Sequence, residues 1–314
     1  MSTKFLEEVM QSIQKAKPDL KEISLVNYTK NIMKLKDAVN EGGADNLDFL
    51  NKVEAVQKWL STKSVSTQKN YISTVVVVLR AHGDMTDLLE RYVKILGEYF
   101  KQMRNKNMQQ EKSKKEEKNW TSMASLVKIR NNIKAGLSES LKKDKLTSSE
   151  FFRLQEYVVA SLYTMQPPPR NDTSFVIVPE SKYNKLNDEN LKDNYLVIKT
   201  RNKKFFSYGE YKTAKTYGIK KFDVNPELNS VINLWLKFNK TGYLLLNNRM
   251  KRISSNSITK LLNRVFAATG KQIGSTMIRH IYLTERYKPE SLEKAKDSDA
   301  MMHSIAQQST YIKR

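Results

Sequence analysis

One short stretch of the chain constrains its fold most, because it offers almost nothing that can be buried. Residues 104–119 contain a single apolar side chain, Met108, among charges of both signs. Such a stretch cannot enter a hydrophobic core, so it is either a linker or a solvated helix extension. We therefore predict a domain at 1–103, a charged linker at 104–119 and a second domain at 120–314.

The composition favours globular domains with a polyanionic partner. Of the 314 residues, 39% are hydrophobic, which suffices for a core in each domain. The 55 Lys and Arg outnumber the 33 Asp and Glu, giving a net charge of +22 that favours nucleic-acid binding. The lack of Cys excludes disulfides, cysteine-held zinc and cysteine nucleophiles, and only 3 His argue against a histidine-built metal site. We predict no cofactor and no metal.

Neither a membrane span nor a secretion signal is visible in the sequence. Residues 1–19 mix Lys with Glu and lack an apolar stretch, and the longest aliphatic run, 75–79, is far shorter than a bilayer-spanning helix. We expect a soluble, intracellular protein.

Helical periodicity dominates the first domain. Apolar residues at three- and four-residue spacing predict helices that begin at Ser24 and at Ser64 or Ser66, and a third over 87–101. Gly83 marks the end of the second helix. The valine run 75–78 is also compatible with a strand, but its periodic, capped flanks favour a helix.

Lysines cluster near the predicted helix starts of this domain. Lys30, Lys63 and Lys69 are candidates for contacts with DNA phosphates. Taken one by one, each is better explained as a solubilising surface residue, whereas the group, with the net charge of +22, favours phosphate contact.

The second domain mixes helices with strands. Thr147 and Glu150 have capping-box spacing and predict a helix over 151–164, which Pro167–Pro169 end. Strand-like segments at 175–178, 195–199, 205–211 and 217–224 suggest a small antiparallel meander. Helical patterns follow at 228–238, 257–267 and 276–287. The predicted fold class is α+β, mainly helical, with a small antiparallel sheet.

Five polar residues of the second domain stand out by their order. Arg170 follows three prolines, Lys212 stands in a hairpin, Arg279 lies at a helix start, and His303 and Tyr311 come last. Two arginines that cannot lose their charge suit the clamping of a phosphate group. The usual motifs of nucleotide hydrolases, α/β-hydrolases and zinc proteases are absent.

The order Arg, Lys, Arg-His, His, Tyr resembles the catalytic domain of the tyrosine recombinases, the phage- and virus-type integrase family. The segments Pro-Pro-Pro-Arg-Asn-Asp and Tyr-Lys-Thr-Ala-Lys-Thr-Tyr-Gly are most similar to members from large DNA viruses and their parasites. The resemblance covers residues 146–314, and the helical domain 1–103 is similar in type and position to the family's DNA-binding (core-binding) domain. It implies a recombinase or integrase of a viral mobile element, acting on double-stranded DNA as a homotetramer on two duplexes.

The resemblance also implies a role for each residue. Tyr311 attacks a DNA phosphate and forms a 3′-phosphotyrosine, Arg170 and Arg279 clamp the phosphate, Lys212 protonates the leaving 5′ oxygen, and His303 assists. The enzyme would work at host or viral DNA. Lys215, in the same hairpin, competes with Lys212 for the lysine role.

Several residues depart from the family pattern. Thr276 stands where a histidine is usual in the family. His280 shares a helical face with Thr276 and Arg279, and it is either a replacement base or an orienting residue. Thr173 holds the usual acidic position, with Asp172 one residue before it. The spacing from His303 to Tyr311 is one residue short, and the sequence continues for only three residues after Tyr311, without the family's C-terminal helix.

Alternative roles remain for the residues and for the protein. Arg170 could cap the preceding helix, and Tyr311 could be a packing residue. The polar side of 255–267, with Asn256 and Lys260, is either a groove-reading surface or a solvated face. The alternative functions are a type IB topoisomerase and a catalytically inactive DNA-binding protein of the same fold.

The net charge generates the first prediction. If it serves DNA binding, the observed affinity for a labelled duplex, measured by fluorescence anisotropy, falls steeply as salt rises. The expected log–log slope is about −0.9 per phosphate neutralised. An affinity that hardly responds to salt would remove nucleic acid as the main partner.

Overall fold

The computed structural model describes residues 3–40, 43–109 and 111–300. The chain divides into two units, Met1–Glu111 and Lys112–Arg314, which we call the N-terminal unit and the C-terminal unit. Across the described residues, no helix is both long and apolar enough to cross a membrane.

The described part of the N-terminal unit is helical. Its α-helices are α1 (Thr3–Ala16), α2 (Glu22–Val39), α3 (Val53–Ser61), α4 (Val65–His82) and α5 (Thr86–Gln109). The prediction for α4 is confirmed: Ser64 caps it, the valine run lies inside it, and Gly83 ends it at φ 88°. The start predicted for α2 at Ser24 is wrong, because the helix begins at Glu22 without a side-chain cap.

The C-terminal unit surrounds a small sheet with helices. Its helices are α6 (Lys114–Asn119), α7 (Met123–Ala135), α8 (Ser148–Thr164), α9 (Glu180–Tyr183), α10 (Ala214–Tyr217), α11 (Pro226–Phe238), α12 (Ser255–Val265) and α13 (Ser275–Ala300). Its strands are β1 (Val176–Pro179), β2 (Asn194–Ile198), β3 (Lys204–Tyr208) and β4 (Lys220–Asp223). The stretch 104–119 contributes the end of α5 and all of α6.

The sheet has the strand order β1-β2-β3-β4. β2, β3 and β4 pair antiparallel as predicted, but β1 and β2 run parallel, so the expectation of a wholly antiparallel meander is wrong. The physical reason is the connection over 180–193, which includes α9 and returns the chain to the same end of the sheet. The prediction of a mainly helical α+β fold with one small sheet is confirmed.

Helix α8 forms the centre of the C-terminal core. The predicted capping box of Thr147 and Glu150 is present, and α8 packs against α7, α11 and α12. Glu156 of α8 is buried and accepts hydrogen bonds from Arg153 at 2.6 Å and from Arg264 of α12 at 2.9 Å. The ion pair of Arg264 with Glu156 fixes α12 against α8.

Both faces of the central strands are covered. Leu196 and Phe206 are opposite each other and join the main core, whereas the neighbouring pair Val197 and Phe205 packs with Tyr183 of α9. Strands covered on both faces need apolar residues at successive positions, which explains why these segments read as continuous apolar runs.

Gly209, directly after β3, is a point of close backbone approach. A Cβ placed on it would overlap the carbonyl oxygens of Leu191 and Asp193, the latter at 2.6 Å. Only a residue without a side chain allows the connection after β3 to pass so close to the start of β2.

We predict that Gly209→Ala destabilises the protein by about 1–3 kcal/mol, because backbone rather than a flexible side chain must shift. The control is Gly136→Ala, where the added Cβ meets backbone carbonyls at 3.6 and 3.7 Å, an ordinary contact distance. Thermal unfolding measures both variants. Equal melting temperatures for the two would contradict the proposed crowding at Gly209.

Candidate functional site

The segment that carries Arg170 is fixed by the last turns of α8. The hydroxyl of the buried Tyr163 donates to the carbonyl of Arg170 at 3.0 Å, and burial raises the pKa of this tyrosine above its usual range. The Arg170 side chain is exposed, and within the described residues its guanidinium forms no hydrogen bond or ion pair. The group therefore does not cap α8, which leaves it free to meet a ligand.

Asn194, the first residue of β2, joins this segment to the connection between β3 and β4. The side chain is 3% exposed and forms four hydrogen bonds. Its amide donates to the carbonyls of Asp172 at 3.3 Å and Glu210 at 2.8 Å. Its oxygen accepts from the backbone N–H groups of Gly209 at 3.0 Å and Glu210 at 2.9 Å. The buried carboxamide of Asn194 thus links the segment of Arg170 to the start of the connection between β3 and β4.

The connection between β3 and β4 carries Lys212. The hydroxyl of Tyr211 donates to the carbonyl of Gly218 at 2.6 Å and closes this connection on itself. The predicted strand over 217–224 is partly wrong, because 214–217 form the short helix α10. Lys212 and Lys215 are both exposed, and Lys215 has interactions with other groups, so geometry alone does not separate the two lysines.

A bidentate ion pair anchors Asp193, the residue directly before Asn194. Arg252 donates to both carboxylate oxygens of Asp193, at 2.5 and 2.7 Å, and to the hydroxyl and carbonyl of Ser174. Burial by itself would raise the pKa of Asp193, but the hydrogen bonds from Arg252 and from the N–H of Asn194, with the charge of Arg252, hold it below its ordinary value. The charged pair therefore stabilises the fold at neutral pH.

Helix α12 links the Arg170 segment to the helix that carries Arg279. The amide of Asn171 donates to the hydroxyl of Thr259 at 2.8 Å. The methyl group of Thr259 lies 3.7 Å from where a Cβ would stand on Gly274, the residue that precedes α13. Arg279 lies in the second turn of α13 and is half-buried. The segments of both arginines therefore border the same residue of α12.

The first turns of α13 also position two supporting candidates. Ile278 and Ile281 are fully buried and fix the helix on the core. Thr276 and His280 are exposed, and Nε2 of His280 lies 3.5 Å from Oε1 of Glu116, a residue of α6. His280 therefore faces α6, and its service as a replacement base stays a prediction.

The polar side of α12 is divided between solvent and protein. Asn256 and Lys260 are exposed, as a DNA-contacting role requires. Thr259 and Asn263 are half-buried, and the Asn263 amide donates to the Thr259 carbonyl at 3.0 Å. The helix predicted over 257–267 is present, but it begins two residues earlier, at Ser255, with Ser254 as its cap.

Two of the three lysines proposed for DNA contact in the N-terminal unit lie against aromatic rings. Lys63 lies over the ring of Trp59 at 3.9 Å, and Lys69 lies 5.4 Å from the centre of the Phe100 ring. Lys30 is exposed on α2. Aromatic contacts of this kind hold the lysine side chains in place while leaving their charge near the surface.

The structure thus brings together the segments of three of the five candidate catalytic residues. Arg170, Lys212 and Arg279 are carried by neighbouring segments, while His303 and Tyr311 lie outside the described residues. The carbonyl of Asp172 accepts a hydrogen bond from the Asn194 amide, and Asp172 has at least one further interaction. Sequence reasoning missed the linking residues Asn194 and Arg252. A single Asn at the start of a strand and a single Arg in the turn before α12 carry no recognisable sequence signal.

Comparisons with known proteins give little further information. No family model and no curated protein matches the chain. Among solved structures, the crystal structure of XerA recombinase aligns with 98% of this chain and 94% of its own, at a TM-score of 0.32 and 10% sequence identity. At that score and identity, the likeness supports no conclusion about this chain.

The ion pair of Asp193 and Arg252 generates a pH prediction. Because the folded-state pKa of Asp193 is lowered, its contribution is present above the unfolded value of 3.8 and is lost as the pH falls through the folded value. Asp193→Asn should cost about 1.5–3 kcal/mol at neutral pH, the range for hydrogen bonds to charged groups. Urea unfolding measures the difference from wild type, which should shrink in acid.

The control for this prediction is Asp188→Asn, which changes an exposed carboxylate in the same connection between β1 and β2. It should leave the unfolding free energy nearly unchanged at neutral pH. If the cost of Asp193→Asn were the same at neutral pH and well below pH 3.8, the carboxylate charge would not be the stabilising feature.

Proposed function

We propose that this protein is a site-specific DNA recombinase or integrase of the tyrosine-recombinase kind, which cuts and rejoins DNA through Tyr311. The observation that carries the proposal is the joining of three segments in one region. Asn194 links the segment of Arg170 to that of Lys212, and Thr259 borders both the segment of Arg170 and the start of α13 with Arg279. These are the cationic residues that the sequence resemblance singles out.

The two arginines would act on the phosphate. Attack on a phosphodiester places additional negative charge on the non-bridging oxygens, and guanidinium groups can bind such oxygens through two hydrogen bonds each. Arg170 suits this role because its guanidinium is exposed and unpaired among the described residues. Arg279 is half-buried, so a bound phosphate would be partly shielded from water on that side.

The covalent step conserves the energy of the phosphodiester bond. The oxygen of Tyr311 forms a bond to phosphorus as the bond from phosphorus to the 5′ oxygen breaks, and the phenolic proton passes to a base. Lys212 donates a proton to the departing 5′ oxygen, which leaves as a hydroxyl group. In the reverse direction, a 5′ hydroxyl attacks the phosphotyrosine and rejoins the strand.

Binding of the duplex would use basic surface on both units. Asn256 and Lys260 are exposed on α12. In the N-terminal unit, Lys30 lies in α2, Lys69 lies in α4, and Lys63 stands two residues before α4. With a net charge of +22, phosphate contacts would supply most of the affinity. Recombination of two sites would require four copies of the chain on two duplexes.

The decisive experiment is the trapping of a covalent adduct. Duplexes that bind the protein are selected from a random-sequence pool and then nicked, so that the short strand with the 5′ hydroxyl diffuses away after cleavage. We expect wild type to remain joined to the DNA 3′ end in excess chelator. Tyr311→Phe removes only the hydroxyl and should bind equally but form no adduct. Denaturing gel electrophoresis measures the adduct.

Further variants in the same assay separate the rival functions. Arg170→Lys and Arg279→Lys keep the charge but lose the guanidinium fork, so each should bind normally and cleave about a hundred- to a thousandfold more slowly. An adduct that persists in Tyr311→Phe would place the nucleophile elsewhere. Wild type that binds without forming an adduct would be a DNA-binding protein, and relaxation of any supercoiled plasmid without paired sites would indicate a topoisomerase.

A further inference from the structure

Asn194 is one of the few polar side chains that are buried in the C-terminal unit. Its four hydrogen bonds all go to backbone groups, and they reach two different segments of the chain. A buried carboxamide with every bonding position used holds its partners in one arrangement, because each lost bond would leave a buried polar group unsatisfied.

The two segments that Asn194 joins begin next to the two residues of interest. Asp172 is two positions after Arg170, and Glu210 is two positions before Lys212. The Arg170 segment is also held by the Tyr163 hydroxyl, whereas both the N–H and the carbonyl of Glu210 are bound by Asn194, so loss of the carboxamide would release mainly the segment of Lys212. The adjacent crowding at Gly209 and the ion pair of Asp193 with Arg252 fix the start of β2 itself.

We infer that Asn194 is a positioning residue that sets the connection bearing Lys212 against the segment bearing Arg170. This inference rests on the proposed function. Asn194 would touch no DNA and exchange no proton. It would act on the protonation of the leaving 5′ oxygen by fixing where the Lys212 segment starts, a step that depends on the distance between donor and acceptor.

A positioning role of Asn194 differs from a merely structural one in its dependence on the leaving group of the substrate. Asn194→Ala should slow cleavage of ordinary DNA by about a hundredfold, with little change in DNA affinity. A substrate whose scissile 5′ oxygen is replaced by sulfur has a leaving group that needs no proton. On that substrate, Asn194→Ala should cleave as fast as wild type, as should Lys212→Ala.

Asn239 offers a matched control. It is also 3% exposed, and its side chain closes the turn over 239–243, with its amide bound to the carbonyl of Tyr243 and its oxygen bound to Thr241. This turn borders β1, the edge strand opposite to β4. Asn239→Ala should lose comparable stability and cleave both substrates at the wild-type rate.

A second readout does not depend on cleavage. The N–H of Glu210 donates to Asn194, whereas that of Gly209 also donates to the carbonyl of Asp193 at 3.1 Å. In Asn194→Ala, amide hydrogen exchange should become faster at Glu210 than in wild type and in Asn239→Ala. If Asn194→Ala does not fold, Asn194→Ser, whose side chain is too short to reach both segments, serves the same test.

The outcomes are distinct. Unchanged exchange at Glu210, or equal slowing on the oxygen and sulfur substrates, would overturn the inference even if wild type recombines DNA. Wild type that cleaves neither substrate would overturn the proposed function and the positioning role of Asn194 with it. Faster exchange together with slowing on the oxygen substrate alone would support both.

Discussion

The architecture of the candidate site depends on one constraint: residues 171–174, in the segment after α8, are partly or fully buried together with their backbone polar groups. Such groups must find hydrogen-bond partners, because an unsatisfied one costs roughly as much as a lost hydrogen bond. Tyr163 binds the carbonyl of Arg170, Asn194 that of Asp172, and Arg252 that of Ser174. The partners come from α8, from β2 and from the turn before α12, so satisfying this one segment fastens three parts of the unit together.

Apolar packing provides the frame on which these polar links act. The main core joins α8 with α11, α12 and the inner face of the sheet, and it places the ends of α8, β2 and β3 near each other. Packing of this kind is tolerant of small shifts, whereas a set of directional hydrogen bonds is not. The core therefore fixes which elements are neighbours, and the buried polar groups fix the register between the connections that leave them.

The sequence predicted the regular elements better than their connections. The helix α4 with its caps, the capping box of α8 and the pairing of β2, β3 and β4 follow from local patterns, because caps and alternation act within a few residues. The parallel pairing of β1 with β2 was missed, since it depends on the path of a long connection. Asn194 and Arg252 could not be found either, because the hydrogen bonds that define them join residues 15 to 78 positions apart.

Carboxylates occupy some arginines of the C-terminal unit and not others, which bears on the chemistry proposed. Arg153 and Arg264 share Glu156, and Arg252 holds Asp193, so these guanidinium groups are occupied by carboxylates. Arg170 and Arg279, in contrast, have no carboxylate partner within the described residues. A guanidinium that already binds a carboxylate must break that pair before it can bind a phosphate, whereas an unpaired one loses only water. On the proposed function, Arg170 and Arg279 would therefore bind a phosphate without first breaking an ion pair, whereas Arg252 is already committed to holding Asp193.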